Sequence, residues 1–201
     1  MKTLIVIDAQ NDFMPGGSLA VPNGDKIIPV INRIQHKFDL VVAAQDWHPK
    51  DHVSFASNHS GKNVFDEIKI HGQSQTLWPD HCVQDTTGAL FHADLQTARW
   101  EAVFRKGTDP GIDSYSAFYD NGHMKSTGLT GYLKEKGASQ IFFSGLAADI
   151  CVYFSIKDAL KEGFACFLIE DAVKPIDMEA YNSIKKELDS VGVQIISSGE
   201  I

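Results

Sequence analysis

"QIFFSGLAADICVYFSIKDALKEGFACFLI" (residues 140–169) sets two apolar runs on either side of an amphipathic stretch. Ile141–Phe143 and Phe164–Ile169 are short, continuous and rich in β-branched and aromatic residues, as strands buried on both faces are. Between them, residues 150–162 carry a helical pattern that stops at Gly163, a natural C-terminal cap. A strand, a helix and a second strand of this length form a parallel crossover unit. The same rhythm extends in both directions. Further strand-like runs are Leu4–Ile7, Leu40–Ala44, Ala102–Phe104 and Val193–Ile196. Helical patterns cover 25–38, with Ile27, Ile28, Ile31 and Ile34 on one face, then 126–136 and 177–190. The alternation predicts an α/β fold in three layers, a mainly parallel sheet flanked by helices on both sides. One domain spans 1–201. Its rhythm breaks at about 47–100, a long irregular connection that holds His52, His59, His71, His81 and His92 besides His48. Loops that long in compact domains are usually functional or disordered.

The 201 residues suffice for one sizeable core, and 43% hydrophobic content is ordinary for a globular chain. A formal charge of −8 disfavours nucleic acid and anionic membrane as partners, because both select basic faces. No apolar run has the length of a membrane span, and no secretory signal precedes the first strand. Three widely spaced cysteines, Cys82, Cys151 and Cys166, make no disulfide framework, so a reducing cytoplasm is the expected location.

Parallel strands deliver their C-terminal residues to one edge of the sheet, where open α/β folds bind ligands. Asp8 ends the first strand, Asp46 the second with His48 two residues on, and Lys106 the third; Cys151 follows the fourth. Cys151 lies at a tight strand-to-helix corner, with Asp149 as a candidate N-cap. The helix N-terminus would favour a thiolate, and its free N–H groups suit an oxyanion. Position alone leaves a buried structural cysteine equally open. Cys166, inside "FACFLI", reads as core, and Cys82 is ambiguous. Asp8 is placed to take a thiol proton and return it to a leaving group, although an aspartate there also caps turns. Lys106 would stabilise the negative charge that the other two share, although a lone "RKG" after a strand more often marks a surface lysine; the three residues together are more persuasive than any one.

Asp46 and His48, two apart in extended chain, project to one side, and His81 from "WPDHC" can complete an Asp/His/His set. Such a set leaves open positions and suits one divalent metal, with Zn²⁺ first and Fe²⁺ or Mn²⁺ as alternatives. Ordinary surface histidines are the competing reading, and the preferred one for His36, His59, His71, His92 and His123. His52 is either a further ligand or a partner of one. Phe13, Trp47, Trp78 and Tyr115 fall near these elements and could sandwich a flat, partly apolar molecule, with core packing an equal alternative for Trp47.

These residues lie in "VIDAQNDFMPGGSLAV" (6–21), "QDWHPKDHVSFASNH" (45–59), "LWPDHCVQ" (77–84), "FRKGTDPGIDSYSAF" (104–118) and "FSGLAADICVYFS" (143–155). In that order and nearly end to end, the chain resembles the nicotinamidases, or pyrazinamidases, of the isochorismatase-like cysteine hydrolase superfamily. The resemblance implies a six-stranded sheet and an Asp8–Lys106–Cys151 triad. It implies an oxyanion site at the N–H groups of Ala147 and Cys151, beside a cis Leu146–Ala147 peptide. It also implies a divalent metal on Asp46, His48 and His81 that orients a pyridine ring, and ring contacts from Phe13 and Trp78. The activity implied is hydrolysis of nicotinamide to nicotinate and ammonia through a thioester, in the salvage of NAD. The alternatives are an amidase for another small amide and a catalytically silent metal- or ligand-binding protein. Ala148 and Ile150 depart from the family's usual Thr and aromatic or His. Whether the chain forms a homo-oligomer is left open.

Overall fold

The computed structural model describes residues 1–201. Its six-stranded sheet contains β1 (Lys2–Ile7), β2 (Leu40–Asp46), β5 (Ala102–Lys106), β6 (Gln140–Leu146), β7 (Ala165–Lys174) and β8 (Gln194–Ile196). They lie in the order β5-β2-β1-β6-β7-β8, and every pairing is parallel. The four long helices are α1 (Ile27–Ile34), α2 (Leu129–Glu135), α3 (Tyr153–Lys161) and α4 (Met178–Ser190).

The pleat explains the three layers. In β1, Ile5 and Ile7 face a core shared with Leu129 and Leu133 of α2, Ile156 of α3 and Leu188 of α4. Leu4 and Val6 face the opposite way, into a second core with Ile27, Ile31 and Ile34 of α1. Successive side chains point to opposite faces, so a strand covered on both sides must be apolar throughout. Helix α1 has no side-chain N-cap and carries Pro29 in its first turn, where proline is tolerated. Its stability comes from four buried isoleucines, each contributing roughly 1.5–3 kcal/mol on burial. In α4, by contrast, Asp177 caps the start by accepting from the N–H groups of Glu179 and Ala180 at 2.8 and 3.2 Å.

Several expectations shift. Helix α2 begins at Leu129 rather than 126, because Gly128 has φ +91° and cannot continue a right-handed turn. The irregular connection is not wholly irregular. It contains an antiparallel hairpin of β3 (Glu67–Ile70) and β4 (Gln73–Thr76). His71 and Gly72 form its two-residue turn with φ +49° and +82°, the doubly left-handed geometry that favours right-twisted strands. Asn-Gly or Asp-Gly would have signalled that turn; His-Gly, between short and mostly polar strands, does not. The corner at Cys151 also differs. Ala148–Val152 form a wide π-type turn before α3, and Asp149 does not cap it. The Asp149 carboxylate instead accepts from the N–H groups of Ile176 and Asp177, at 3.0 and 2.8 Å, tying the corner to the approach to α4.

The chain steps from β1 to β2 and β5 on one side, then returns to β6 on the other, so direction reverses between β1 and β6. That reversal opens a crevice at the carboxyl edge. Gly145 closes the two strands there. It has φ +115°, pairs with Ile7, and sits at a register shift against β7. A Cβ at this position would overlap the Ile7 carbonyl oxygen, which is backbone and cannot turn aside. Gly145→Ala is therefore expected to destabilise the protein by roughly 3 kcal/mol or more, from positive-φ strain and overlap together. The midpoint and slope of urea unfolding measure this.

Candidate active site and metal centre

Asp8, immediately beyond β1, is fully buried and has φ +47°, an uncommon conformation for a residue with a side chain. Lys106, at the end of β5, extends under the sheet edge to meet it. Its Nζ lies 2.8 Å from Asp8 Oδ2, 2.5 Å from Asp46 Oδ1, 3.1 Å from the Ser114 carbonyl oxygen and 3.5 Å from Cys151 Sγ. Asp8 pairs with the Lys106 ammonium and lies within hydrogen-bonding reach of the Cys151 thiol. The three triad residues therefore meet, although they come from three different parts of the chain.

The electrostatics reverse one expectation. Burial pushes the Cys151 thiol well above the ordinary thiol range, against the fall expected at a helix start. Lys106 opposes that shift, while Asp8 and Asp46 add to it. The neighbouring Asp8 carboxyl is shifted as well. Burial raises it, Lys106 pulls it back, and the balance leaves it at about 7. Lys106 is held firmly as a cation: burial lowers its pKa, but Asp46, Asp8 and Cys151 together outweigh that and raise it.

Above the triad, Asp46, His48 and His81 are all buried, and their ligand atoms lie within 4.8 Å of one another. Asp46 Oδ2 is 3.6 Å from His48 Nε2 and 3.8 Å from His81 Nε2. The other ring nitrogens are engaged: His48 Nδ1 donates to the Gly107 carbonyl at 2.9 Å, and His81 Nδ1 to the Pro79 carbonyl at 2.8 Å. Those bonds fix the tautomer that presents each Nε2 lone pair, as metal-bound histidines require. Burial holds His81 near 4, and hence neutral at physiological pH. One carboxylate and two oriented imidazoles thus fit a small divalent cation. His52 does not join them. Its Nδ1 faces Ser54 Oγ at 2.7 Å and its Nε2 the Ile112 carbonyl at 3.3 Å, while its ring packs against His48 with centroids 4.2 Å apart.

A narrow cavity connects the two groups. Its lining includes Phe13, Asp46, His48, Trp78, His81, Tyr115, Ala147 and Cys151. Trp78 Nε1 donates to the Tyr115 hydroxyl at 3.3 Å, which holds the two rings at 80° to each other. Trp47 stays outside, with the Arg105 guanidinium 3.9 Å over its ring. The Leu146–Ala147 peptide is cis, and the Ala147 N–H donates to no protein group.

The isochorismatase domain model matches residues 2–200. The chain belongs to the isochorismatase-domain family. It is 48% identical over 199 residues to the nicotinamidase of Acinetobacter baylyi, covering 98% of this chain and 93% of that protein. The solved nicotinamidase/pyrazinamidase of Acinetobacter baumanii superposes with a TM-score of 0.96 at 46% identity, over 99% of this chain and 97% of the other. The pyrazinamidase of Pyrococcus horikoshii, solved in complex with zinc, superposes with a TM-score of 0.81 at 38% identity, over 98% of both chains.

Within this member of the isochorismatase-domain family, some site residues escaped the sequence reading. Leu19, Asp113, Ser114, Ile150 and Ile176 also line the cavity. Ile150 departs from the family pattern, but nothing local in the sequence places it on the cavity wall. Gly107 matters most, because its carbonyl orients His48 and its φ is +62°. A Cβ there would fall 2.5 Å from His48 Nδ1. The glycine following Lys106 in "RKG" was a signal, but only the folded chain shows that it faces a histidine 59 residues away. Gly107→Ala should displace the imidazole and weaken metal binding by about 10- to 100-fold, with the fold retained. Titration against a chromophoric chelator gives the affinity, and circular dichroism checks the fold.

Proposed function

We propose that this protein is a nicotinamidase, hydrolysing nicotinamide to nicotinate and ammonia through a thioester on Cys151. The observation that carries the reading is the position of Lys106 Nζ, 2.8 Å from Asp8 and 3.5 Å from Cys151 Sγ, beneath a cavity that also holds the Asp46–His48–His81 set. Nicotinamidase relatives of nearly full length support the choice of amide. A ligand-binding protein has no use for a buried thiol set against a buried carboxylate and a buried ammonium.

Asp8 takes the proton from the Cys151 thiol, and the sulfur attacks the carboxamide carbon. A C–S bond forms while the carbonyl electron pair moves onto oxygen. The N–H groups of Ala147 and Cys151 hold that oxyanion; one such donor is typically worth ~10²- to 10³-fold in rate. As the oxyanion collapses, the C–N bond breaks and protonated Asp8 gives its proton to the departing nitrogen, releasing ammonia. Asp8, again a carboxylate, then takes a proton from water as it attacks the thioester. The C–S bond breaks, the acid leaves, and the proton returns to Cys151. Lys106 keeps positive charge beside the sulfur and both carboxylates throughout. Phe13, Trp78 and Tyr115 hold the ring against the edge of the metal site. When bound, the metal supplies a Lewis-acid anchor for the ring nitrogen, held by Asp46, His48 and His81. We assign zinc to this site, on its nitrogen-rich set of ligands and on the zinc complex of the Pyrococcus horikoshii relative.

Cys151→Ala tests the covalent route. Ammonia release should fall by at least ~10⁴-fold while nicotinamide still binds by calorimetry; turnover near the parent rate would refute the thioester. The pH profile tests the base. Asp8 must be ionised to act, and its raised pKa is about 7. The value of kcat/KM should thus fall about tenfold per unit below that pH and level off above it. A rate constant independent of pH across that range would assign proton transfer elsewhere.

A further inference from the structure

The segment after β1 reads "DAQND" (8–12), and the reaction uses only Asp8. Gln10 and Asp12 stand at alternate positions beyond it, and each reaches the backbone of a different metal-bearing segment. Gln10 is completely buried. Its Oε1 accepts the Asp46 N–H at 2.8 Å, and its Nε2 donates to the Asp46 carbonyl, also at 2.8 Å. One amide thus closes on both polar groups of the Asp46 backbone. The same Nε2 donates to the Ala89 carbonyl at 2.8 Å. Asp12 works on the other side: its Oδ2 accepts the N–H of Cys82, the residue after His81, at 2.7 Å. The Cys82 carbonyl in turn accepts the His48 N–H at 3.0 Å, which links the segments of His81 and His48.

We infer that Gln10 and Asp12 are positioning residues that preorganise the metal centre, Gln10 by clamping Asp46 and Asp12 by fixing the His81–Cys82 segment. The inference rests on the metal reading above. Asp46 has little latitude, because one carboxylate oxygen faces Lys106 and the other faces the two imidazoles. A shift of its backbone would misplace both at once. Side chains that orient a ligand commonly change metal affinity by about 10- to 100-fold when removed. The strip also joins the two halves of the site: residue 8 serves the chemistry, and residues 10 and 12 serve the ligands.

The test is the Zn²⁺ affinity of the full chain, stripped with a chelator and titrated against a chromophoric competitor. Gln10→Ala and Asp12→Ala should each weaken zinc about 10- to 100-fold. Asp12→Asn, which keeps an acceptor oxygen, should restore affinity to within about threefold of the parent. Gln45→Ala is the control. Gln45 also donates to the Ala89 carbonyl, at 3.0 Å, but makes no contact of the Gln10 kind with Asp46. Losing it should affect stability and leave zinc affinity unchanged. Gln10→Met keeps the volume and replaces Gln10→Ala should that variant fail to fold. Folded Gln10 and Asp12 variants with the parent's zinc affinity would overturn the inference and leave the metal site standing. A parent protein that binds no stoichiometric zinc would overturn both.

Discussion

A single buried ammonium holds this site together. Lys106 lies among two buried carboxylates and a buried thiol. Removing two carboxylates and a lysine from water costs several kcal/mol per ion, and only tight mutual contact offsets that. The cluster is therefore an expense that stability alone would not maintain. It makes sense under the proposed mechanism: the same burial that raises the thiol raises Asp8 to about 7, which suits a proposed base working near neutral pH.

The fold makes such a cluster feasible. Parallel strands bring Asp8, Asp46 and Lys106 to one edge, and the reversal between β1 and β6 brings the Cys151 corner beside them. Asp46 is common to both halves of the site. Its Oδ1 takes the Lys106 ammonium and its Oδ2 faces His48 and His81, so the thiol cluster and the candidate metal ligands share one carboxylate. A substrate with an amide and a ring nitrogen spans two points that are rigidly related, which is how orientation lowers a barrier before any bond changes.

Much of this was legible in the sequence for a simple reason. Continuous apolar runs such as "LVVAA" and the isoleucine face of α1 record burial directly, and strand ends record the reactive edge. What stayed hidden depends on contacts far apart in the chain. The thiol's elevated pKa follows from enclosure and from Asp8 and Asp46, neither of which is near Cys151 in sequence; local reading saw only a helix start and expected the opposite shift. Asp149 looks like a cap, yet its carboxylate is committed to the N–H groups of Ile176 and Asp177. Gly107 acts through its own carbonyl on the His48 ring, and Gln10 through its amide on the Asp46 backbone, so no spacing rule points to either. The hairpin at 67–76 was missed because His71–Gly72 is an uncommon pair for its turn.

Acid quenching during turnover, followed by peptide mass spectrometry, addresses the central claim most directly. Enzyme mixed with nicotinamide should yield a nicotinoyl group on the peptide that contains Cys151, absent when Asp8 is replaced by Asn. Ammonia released with no acyl group on Cys151, or with the group on another residue, would contradict the account.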